Sequence, residues 1–406
     1  MSNIWIINQY ATTPQIGMGG RHHYLARELA AKGHDVSLIA ASNHHLIGNT
    51  AANDAAPQQE QVDGYTFVRI PVGKYARAHS KKRILNWFSF AWKISRLHKR
   101  LKDKPDVILY SSLSLVGYLG AERLARRLGV KLVFEVRDIW PQTLIEVGGY
   151  SPTHPFVRFL RWVEKRAYRN ADQVVSNLPA AVEHMVASGM DRQKFTWIPN
   201  GFSKSEVEDA DALPPEIQEK LPKDKFLVGY VGTIGVANAL DTLIDAANDL
   251  RGEKDIALVI VGKGSEQARL QDKVAELGLD NVVFTGQIAK RQVQSMLSLL
   301  DVCYIGLTAD PLFRFGVSPN KLFDYLVSGK PVLYGIDSGD YRPVEDASAG
   351  LQIPPEDPDA LVAAIRTLTA MSDEGRAEMG ENGRRLALTR HEYGTLAVEL
   401  ERVLLS

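Results

Sequence analysis

The sequence predicts an α/β protein built from two doubly wound domains with parallel sheets, and three observations carry that prediction. Short apolar runs alternate with amphipathic stretches along the whole chain, the pattern of repeated strand–helix units. The 406 residues are enough for two or three domains at ~150 residues each. A turn-rich stretch, Ile198-Pro199-Asn200-Gly201, divides the chain near its middle and leads into acidic, proline-containing sequence to about Lys223.

Strand patterns in the first half are Ile4–Asn8, Asp35–Ala40, Tyr65–Ile70, Val107–Tyr110, Leu132–Glu135 and Gln173–Ser176. In the second half they are Phe226–Val231, Ala257–Val261, Val282–Thr285, Val302–Ile305 and Pro331–Tyr334. Helical periodicity fills the intervals at Arg21–Lys32, Leu240–Leu250, Glu266–Leu277 and Pro319–Ser328. Ala51–Ala56 and Gln58–Gln61 read as one long polar loop, and the helical pattern of Leu386–Leu405 can pack against either half. No short-period repeat is visible.

Hydrophobic residues at 45% and charged residues at 24% are ordinary globular values, which exclude disorder and collagen-like repeats. A single cysteine, Cys303, excludes an intrachain disulfide framework and a multi-cysteine zinc site, and suits a reducing compartment. Asn3–Tyr10 is strand-like with no basic stretch before it, so no signal peptide is expected. No apolar run approaches the ~18 residues of a membrane-spanning helix. The 48 basic and 48 acidic residues cancel, but unevenly along the chain. Residues 1–200 hold 27 Lys+Arg against 15 Asp+Glu, while residues 201–406 hold 21 against 33. The basic half calls for a polyanionic partner, nucleic acid or an anionic membrane face.

Five segments can carry chemistry. Gly17-Met18-Gly19-Gly20 precedes a helix pattern, where glycines let a ligand approach the backbone and free amides favour an anion. It is no G-x-G-x-x-G fingerprint, and a plain strand-to-helix turn explains it equally well. Gly232-Thr233-Ile234-Gly235 repeats that logic at the front of the second half. In Phe313–Tyr325, Ser318 suits an N-cap and Pro319 the first helical position, leaving free amides at Asn320 and Lys321 beside Arg314. Helix amides, Arg314 and the Lys321 ammonium suit a diphosphate, and Asp324 one turn later suits ribose hydroxyls; the bland alternative is a well-capped surface helix. In Phe134–Pro141, Glu135, Arg137 and Asp138 crowd a strand end, either facing a ligand crevice or forming a Glu135–Arg137 ion pair.

The fifth segment, Lys74–Lys104, has eleven Lys+Arg against one Asp. Ile84, Trp87, Ala91, Ile94, Leu97 and Leu101 form one helical stripe, which Leu85, Phe88 and Trp92 widen. A basic helix with these aromatics reads as an interfacial membrane segment carried by Lys81, Lys82, Arg83, Trp87, Phe88, Trp92 and Arg96. A core-packed helix with a solvated basic back is the rival reading. A second basic helix pattern follows at Arg158, Arg161, Lys165, Arg166 and Arg169. Nucleic acid is the weaker partner, because no reader module accompanies the charge.

Taken in order, Ile7–Tyr10, Gly17–His22, Glu135–Pro141, Ile198–Gly201, Gly232–Gly235 and Gly316–Tyr325 resemble the bacterial branch of retaining glycosyltransferase family 4. That branch includes the O-antigen and capsule N-acetylfucosaminyltransferases. The resemblance spans essentially the whole chain, and Gly-Val-Ser-Pro-Asn-Lys-Leu-Phe-Asp-Tyr is its most specific part. It implies a GT-B fold, two Rossmann-like domains facing each other across a cleft, with the C-terminal helix crossing back to the first. The expected division is 1–200 plus the crossing helix 386–406 for the acceptor side, and 201–385 for the nucleotide-sugar side. No metal and no cofactor are implied, only a UDP-sugar substrate.

The sequence departs from the wider family's Glu-x7-Glu motif. Asp324 keeps the second carboxylate, but Gly316 stands at the first, so backbone amides of Phe315–Val317 replace side-chain recognition of the donor sugar. Arg137 stands where a His often precedes the Asp. Val236-Ala237-Asn238-Ala239 replaces the usual Arg and Lys after the second glycine loop. Phosphate charge then falls to Arg314 and Lys321, with Lys263 as a helper.

The resulting expectation is a retaining glycosyltransferase, moving a sugar such as N-acetylfucosamine from a UDP-sugar to a polyprenyl-diphosphate-linked acceptor in surface polysaccharide synthesis. It would work in the cytoplasm, peripherally on an anionic inner membrane face, and would not bind nucleic acid. Asp138, His22, Arg314 and Lys321 are its catalytic candidates. Gly19, Gly20, Gly232, Thr233, Lys263, Gly316, Val317, Ser318, Asn320, Lys321 and Asp324 are its donor contacts. A non-hydrolysing nucleotide-sugar epimerase of the same architecture is the main rival. A dinucleotide-dependent oxidoreductase lacks its fingerprint here.

Overall fold

Long apolar strands can be buried only when both faces of a sheet are covered, and the chain meets that condition twice. The computed structural model describes residues 1–17, 19–44, 47, 56–73 and 81–406. Met18, part of the first glycine segment, and Ala51–Ala55 of the expected polar loop lie outside the described residues, as do 74–80 of the basic segment. The chain forms two units, Met1–Pro199 with Tyr393–Ser406, and Asn200–Glu392.

The first unit holds β1 (Asn3–Ile7), β2 (Asp35–Ala41), β3 (Gln58–Val62), β4 (Tyr65–Ile70), β5 (Val107–Ser112), β6 (Lys131–Val136), β7 (Gln173–Ser176) and β8 (Phe195–Trp197). They lie side by side as β3-β4-β2-β1-β5-β6-β7-β8, parallel except for the antiparallel β3–β4 pair. Its helices include α1 (Arg21–Ala31), α2 (Lys81–Ile94), α3 (Leu115–Leu128), α4 (Gln142–Glu146) and α5 (Pro155–Asn170). Gln58–Gln61, expected as loop, is instead the edge strand β3, with Gln59 and Gln61 exposed. Polar side chains blunt such an edge, which also hides it from an apolar pattern.

The second unit holds β9 (Phe226–Val231), β10 (Ile256–Val261), β11 (Val282–Gly286), β12 (Val302–Gly306), β13 (Val332–Gly335) and β14 (Gly350–Gln352). Their all-parallel order β11-β10-β9-β12-β13-β14 is the 3-2-1-4-5-6 order of a doubly wound nucleotide-binding sheet. Successive residues of β10 serve opposite faces. Ala257, Val259 and Val261 join one apolar cluster, while Ile256, Leu258 and Ile260 join another.

The segment Leu386–Leu405 is not one helix. Asp373–Arg390 is continuous and stays in the second unit, where the backbone N–H of Phe202 donates to the His391 carbonyl at 2.9 Å. The return begins at Tyr393, and the Tyr393–Leu405 helix packs on α1 with Tyr393 stacked 4.7 Å from Tyr24. Leu396, Leu400 and Leu404 enter the same cluster as Leu25 and Leu29. No helix among the described residues is long and apolar enough to cross a membrane.

Candidate functional site

In an open parallel sheet, ligands sit beyond the carboxyl ends of the strands where the strand order reverses. That point lies between β1 and β5 in the first unit and between β9 and β12 in the second. Residues of the sequence motifs collect at both places.

In the first unit, Asn8 follows β1 and its Nδ2 donates to Ser111 Oγ on β5 at 3.1 Å. The loop then climbs to Gly19 and Gly20, whose φ angles of 65° and 106° favour glycine. Thr12 Oγ1 donates to the Gly19 carbonyl at 3.0 Å, and α1 starts at Arg21. The first turn of α1 points into the protein. Arg21 Nε donates to Glu135 Oε1 at 2.8 Å, its Nη2 to the Ile198 carbonyl at 2.9 Å, and its Nη1 to the Pro199 carbonyl. His22 Nε2 meets Glu135 Oε2 at 2.6 Å, while its Nδ1 faces Asn8 Nδ2 at 3.4 Å. Glu135 therefore pairs with Arg21 and His22 rather than with Arg137, as the ion-pair reading of Glu135–Arg137 had it. Arg137 Nε is a buried nitrogen with no hydrogen-bond partner among the described residues, and Asp138 is exposed at the mouth of β6.

In the second unit, the Asn320–Val327 helix carries Lys321 and Tyr325 one turn apart, on one face. Tyr325 Oη accepts from the Val231 N–H at 2.7 Å and donates to its carbonyl at 2.9 Å, which locks the helix to the end of β9. Lys321 Nζ consequently reaches the glycine loop. It donates to Tyr230 Oη at 2.8 Å and to Asn238 Oδ1, and lies 4.5 Å from the centre of the Tyr230 ring. A side chain at Gly232 would stand 3.2 Å from Lys321 Cε, so glycine leaves this ammonium room. Burial pushes the Lys321 pKa down to about 7. A desolvated ammonium held, among the described residues, by a phenol and an amide is poised for an anion.

The glycine loop rests on a second one. Gly232 N–H donates to the Val261 carbonyl at 2.9 Å and Ile234 N–H to the Lys263 carbonyl at 3.0 Å. Lys263 thus supports the loop through its backbone, and its side chain is exposed, as is Thr233. Asp324 is bound by Lys290 Nζ, 2.8 Å from each carboxylate oxygen. Arg314 does not join Lys321 in this arrangement. Its guanidinium lies 4.4 Å from the Phe315 ring centre and donates to the Pro311 carbonyl. Gly316, at φ 84°, and Val317 are buried, and Asn320 is exposed at the helix start. Ser318 is not the N-cap: its Oγ accepts from the Asn200 N–H at 2.9 Å, and extended Pro319 precedes the helix. The sequence reading missed Tyr230, Lys290 and the role of Asn238. Asn238, in the segment that replaces the usual cations, was the one signal available.

The basic helix also divides differently. Trp87, Ala91, Ile94, Leu97 and Leu101 are buried, so that stripe is core. The contact is close, since a side chain at Gly120 of α3 would meet the Ala91 carbonyl at 2.1 Å. Trp87 Nε1 donates to Tyr10 Oη at 2.6 Å and Arg83 Nε to the same oxygen at 3.1 Å, so both turn inward. Lys82, Phe88, Trp92 and Arg96 are exposed; the Lys81 side chain lies outside the described residues.

Two units, each with a doubly wound, mostly parallel sheet of nucleotide-binding type, are the two-domain architecture of the GT-B fold. Residues 17–201 match the Glycosyl transferase 4-like domain and residues 215–386 match Glycosyl transferases group 1, and the chain belongs to this family. It is 26% identical to the putative colanic acid biosynthesis glycosyl transferase WcaI of Escherichia coli K12, over 86% of this chain and 88% of that one. It is 27% identical to the O-antigen chain mannosyltransferase C of Escherichia coli, over 73% and 74%. The fold is shared with sucrose-phosphate synthase from Thermosynechococcus elongatus, at TM-score 0.75 and 20% identity over 99% and 98% of the chains. Anabaena HepE in complex with UDP-glucose shares it at TM-score 0.68 and 16% identity, over 100% and 99%.

Proposed function

We propose that the protein transfers a sugar, with retention, from a UDP-sugar to a polyprenyl-diphosphate-linked acceptor during surface polysaccharide synthesis at the inner face of the cell membrane. The observation that carries this reading is Lys321, desolvated over Gly232 at the end of β9, where a diphosphate meets an ammonium and loop amides. Asp324 holds the ribose in exchange for Lys290. The acceptor oxygen bonds to the sugar's anomeric carbon as the phosphate bond breaks on the same face. The acceptor's proton passes to the departing diphosphate, whose charge Lys321 stabilises. Asp138, exposed at the mouth of β6, contacts the reacting sugar or the acceptor. In this scheme the reaction runs without a metal or cofactor.

The relatives named for colanic acid and O-antigen synthesis support the polysaccharide role, and N-acetylfucosamine is the sugar that the sequence resemblance brings forward. A GDP-sugar donor is the second reading, favoured by a GDP-mannose-dependent alpha-mannosyltransferase of Mycobacterium tuberculosis, 27% identical over 49% of this chain. The epimerase reading is not favoured, because both family matches are to glycosyltransferases. Thermal shift with UDP, GDP and dTDP sugars separates the donors, since the bound nucleotide raises the melting temperature by mass action. Turnover of the best donor is then measured with and without a polyprenyl-diphosphate sugar. Lys321→Ala should abolish most transfer at saturating donor while leaving the circular dichroism spectrum unchanged. Full transfer by that variant, or turnover without acceptor, would remove the assignment.

A further inference from the structure

The outer face of α2 and the neighbouring face of α5 share one chemistry. Leu85, Phe88 and Trp92 stand at positions i, i+3 and i+7 of α2 and are 68%, 46% and 54% exposed; Trp162 of α5 is 48% exposed. Rings join the two helices. Phe88 stacks on Phe159 with centroids 5.9 Å apart, and Phe159 stacks on Trp162 at 6.1 Å. Inward, Phe159 stacks on Phe156 at 6.5 Å and Phe156 on buried Trp87 at 6.2 Å, so the exposed rings are anchored to the core. Among the described residues, every exposed large aromatic side chain, Tyr150 included, lies between Phe88 and Trp162 in the sequence.

Cations surround these rings. The Arg96 guanidinium lies 4.1 Å from the Trp92 ring centre and that of Arg166 lies 5.6 Å from Trp162. Arg158, Trp162, Lys165 and Arg169, spaced at i, i+4, i+7 and i+11, share one exposed face of α5. Lys82, Lys99 and Arg100 are exposed beside α2. Neither helix shows a carboxylate to solvent: α2 has none, and Glu164 of α5 is buried against His184 at 2.7 Å. Glu122, on α3, is buried and already bonded by Arg126, Arg166 and Asn170.

We propose that α2 and α5 together form a docking surface for an anionic lipid leaflet, with Phe88, Trp92 and Trp162 entering the interfacial layer. Tryptophan and phenylalanine favour that layer, and each nearby cation strengthens the attraction to anionic lipid. A second copy of the chain would bring like-charged helices together, so the charge pattern selects a phosphate-rich surface over self-association. The inner face of α2 gives docking a consequence. Trp87 and Arg83 both bond Tyr10 Oη, just past the end of β1, so the lipid surface and the site of the first unit share one helix. The inference rests on the proposed lipid-linked acceptor for its purpose, but its observations and its test do not.

The full chain is co-sedimented with vesicles of phosphatidylcholine alone and of phosphatidylcholine with phosphatidylglycerol at roughly seven to three. Binding should rise about tenfold or more with the anionic lipid. Phe88→Ser with Trp92→Ser, and separately Trp162→Ser, should each lower it by about fivefold or more, while Leu388→Ser on the second unit should not. All these positions are exposed, and an unchanged melting temperature confirms folding. Wild-type binding by the Trp162→Ser variant overturns the two-helix surface, as does indifference of the wild type to lipid charge. A lipid-free dimer that the Phe88/Trp92 variant dissociates assigns the face to self-association, and tighter binding to single-stranded DNA than to vesicles assigns it to nucleic acid; either overturns the proposal. Donor binding measured without lipid tells the failures apart, because its persistence leaves the transferase reading standing.

Discussion

His22 and Glu135 meet at 2.6 Å inside the first unit, and that contact decides what His22 can do. Asn8 Oδ1 accepts from the Tyr10 N–H at 2.8 Å, so the amide group of Asn8 faces His22 Nδ1 as a donor. The other ring nitrogen, Nε2, then carries the proton and donates it to Glu135. Both ring nitrogens are engaged, and His22 ties the ends of β1 and β6 together. Burial opposes ionisation of Glu135. The charges of Arg21 and Arg137, with the hydrogen bond from His22, outweigh it and hold the carboxyl well below the usual range.

Removing one partner from this cluster should be costly. Glu135→Gln leaves the Arg21 guanidinium buried without its counter-charge, and breaking such a pair costs about 3–5 kcal/mol. Arg21→Met with Glu135→Leu should be less destabilising than the two single effects added, because both charges leave together. Urea unfolding of the four proteins provides the cycle. Additive losses would show that the two residues do not act as a pair.

Buried imidazoles make stability fall on the acid side. Burial is the leading cause that lowers His22, and it takes His23 and His391 each down to about 4. Their folded values lie below the ordinary value of 6.5, so the unfolded chain binds more protons between about pH 6.5 and pH 4. Stability is therefore fully present above 6.5 and is lost as pH falls toward the folded values. The Glu135 contribution disappears only lower, below the ordinary carboxylate value of 4.5. The urea midpoint should stay level above about pH 7 and drop between about pH 6.5 and pH 4. A level midpoint throughout that window would contradict neutral burial of these rings.

Lys321 should give nucleotide binding its own pH dependence. With its pKa pushed down to about 7 by burial, the free protein is largely uncharged at this site in mild alkali. A diphosphate favours the ammonium, so binding draws a proton onto Lys321 and weakens as pH rises, by up to about tenfold per unit. Titration calorimetry of UDP in buffers of different ionisation enthalpy should show proton uptake between about pH 7 and pH 9. Lys321→Arg, always charged, should abolish the uptake. Equal uptake by the variant would assign the proton elsewhere.

The central strands were legible because they are apolar on both faces, as the split of β10 between two clusters shows. Three of the four edge strands were not: β3 is polar, and β8 and β14 have three residues each, too few to show a period. At the site, Lys321 and Asp324 stood out because one helix start carries both. Their partners did not. Lys290 arrives from 34 positions before Asp324 and Tyr230 from 91 before Lys321, distances that no local motif spans. Glu135 failed for the same reason. Arg137 is its neighbour on the same side of the strand, yet Arg21 arrives from 114 residues away and occupies the carboxylate. On α2 the sequence did not divide Trp87, Ala91 and Ile94, which are buried, from Phe88 and Trp92, which are exposed, since an apolar stripe marks a covered face whether its cover is lipid or protein.

Two glycines that look alike in sequence should respond differently to a methyl group. Gly264 takes no positive φ, but a side chain there would meet the Ile234 carbonyl at 1.9 Å. That carbonyl accepts from the Glu266 N–H at 3.1 Å, so Gly264→Ala must push the Gly232–Gly235 loop off its support. Gly20 has open space around it, and its φ of 106° is the whole penalty for a side chain, about 1–3 kcal/mol. Gly264→Ala should therefore weaken UDP binding by about tenfold or more, through the loop that faces Lys321. Gly20→Ala acts on the first unit. It should lower the melting temperature and the transfer rate while the affinity for UDP changes less than in Gly264→Ala. Calorimetry on both variants decides the matter, and a larger loss of UDP affinity in Gly20→Ala would move the main phosphate contact to the first glycine turn.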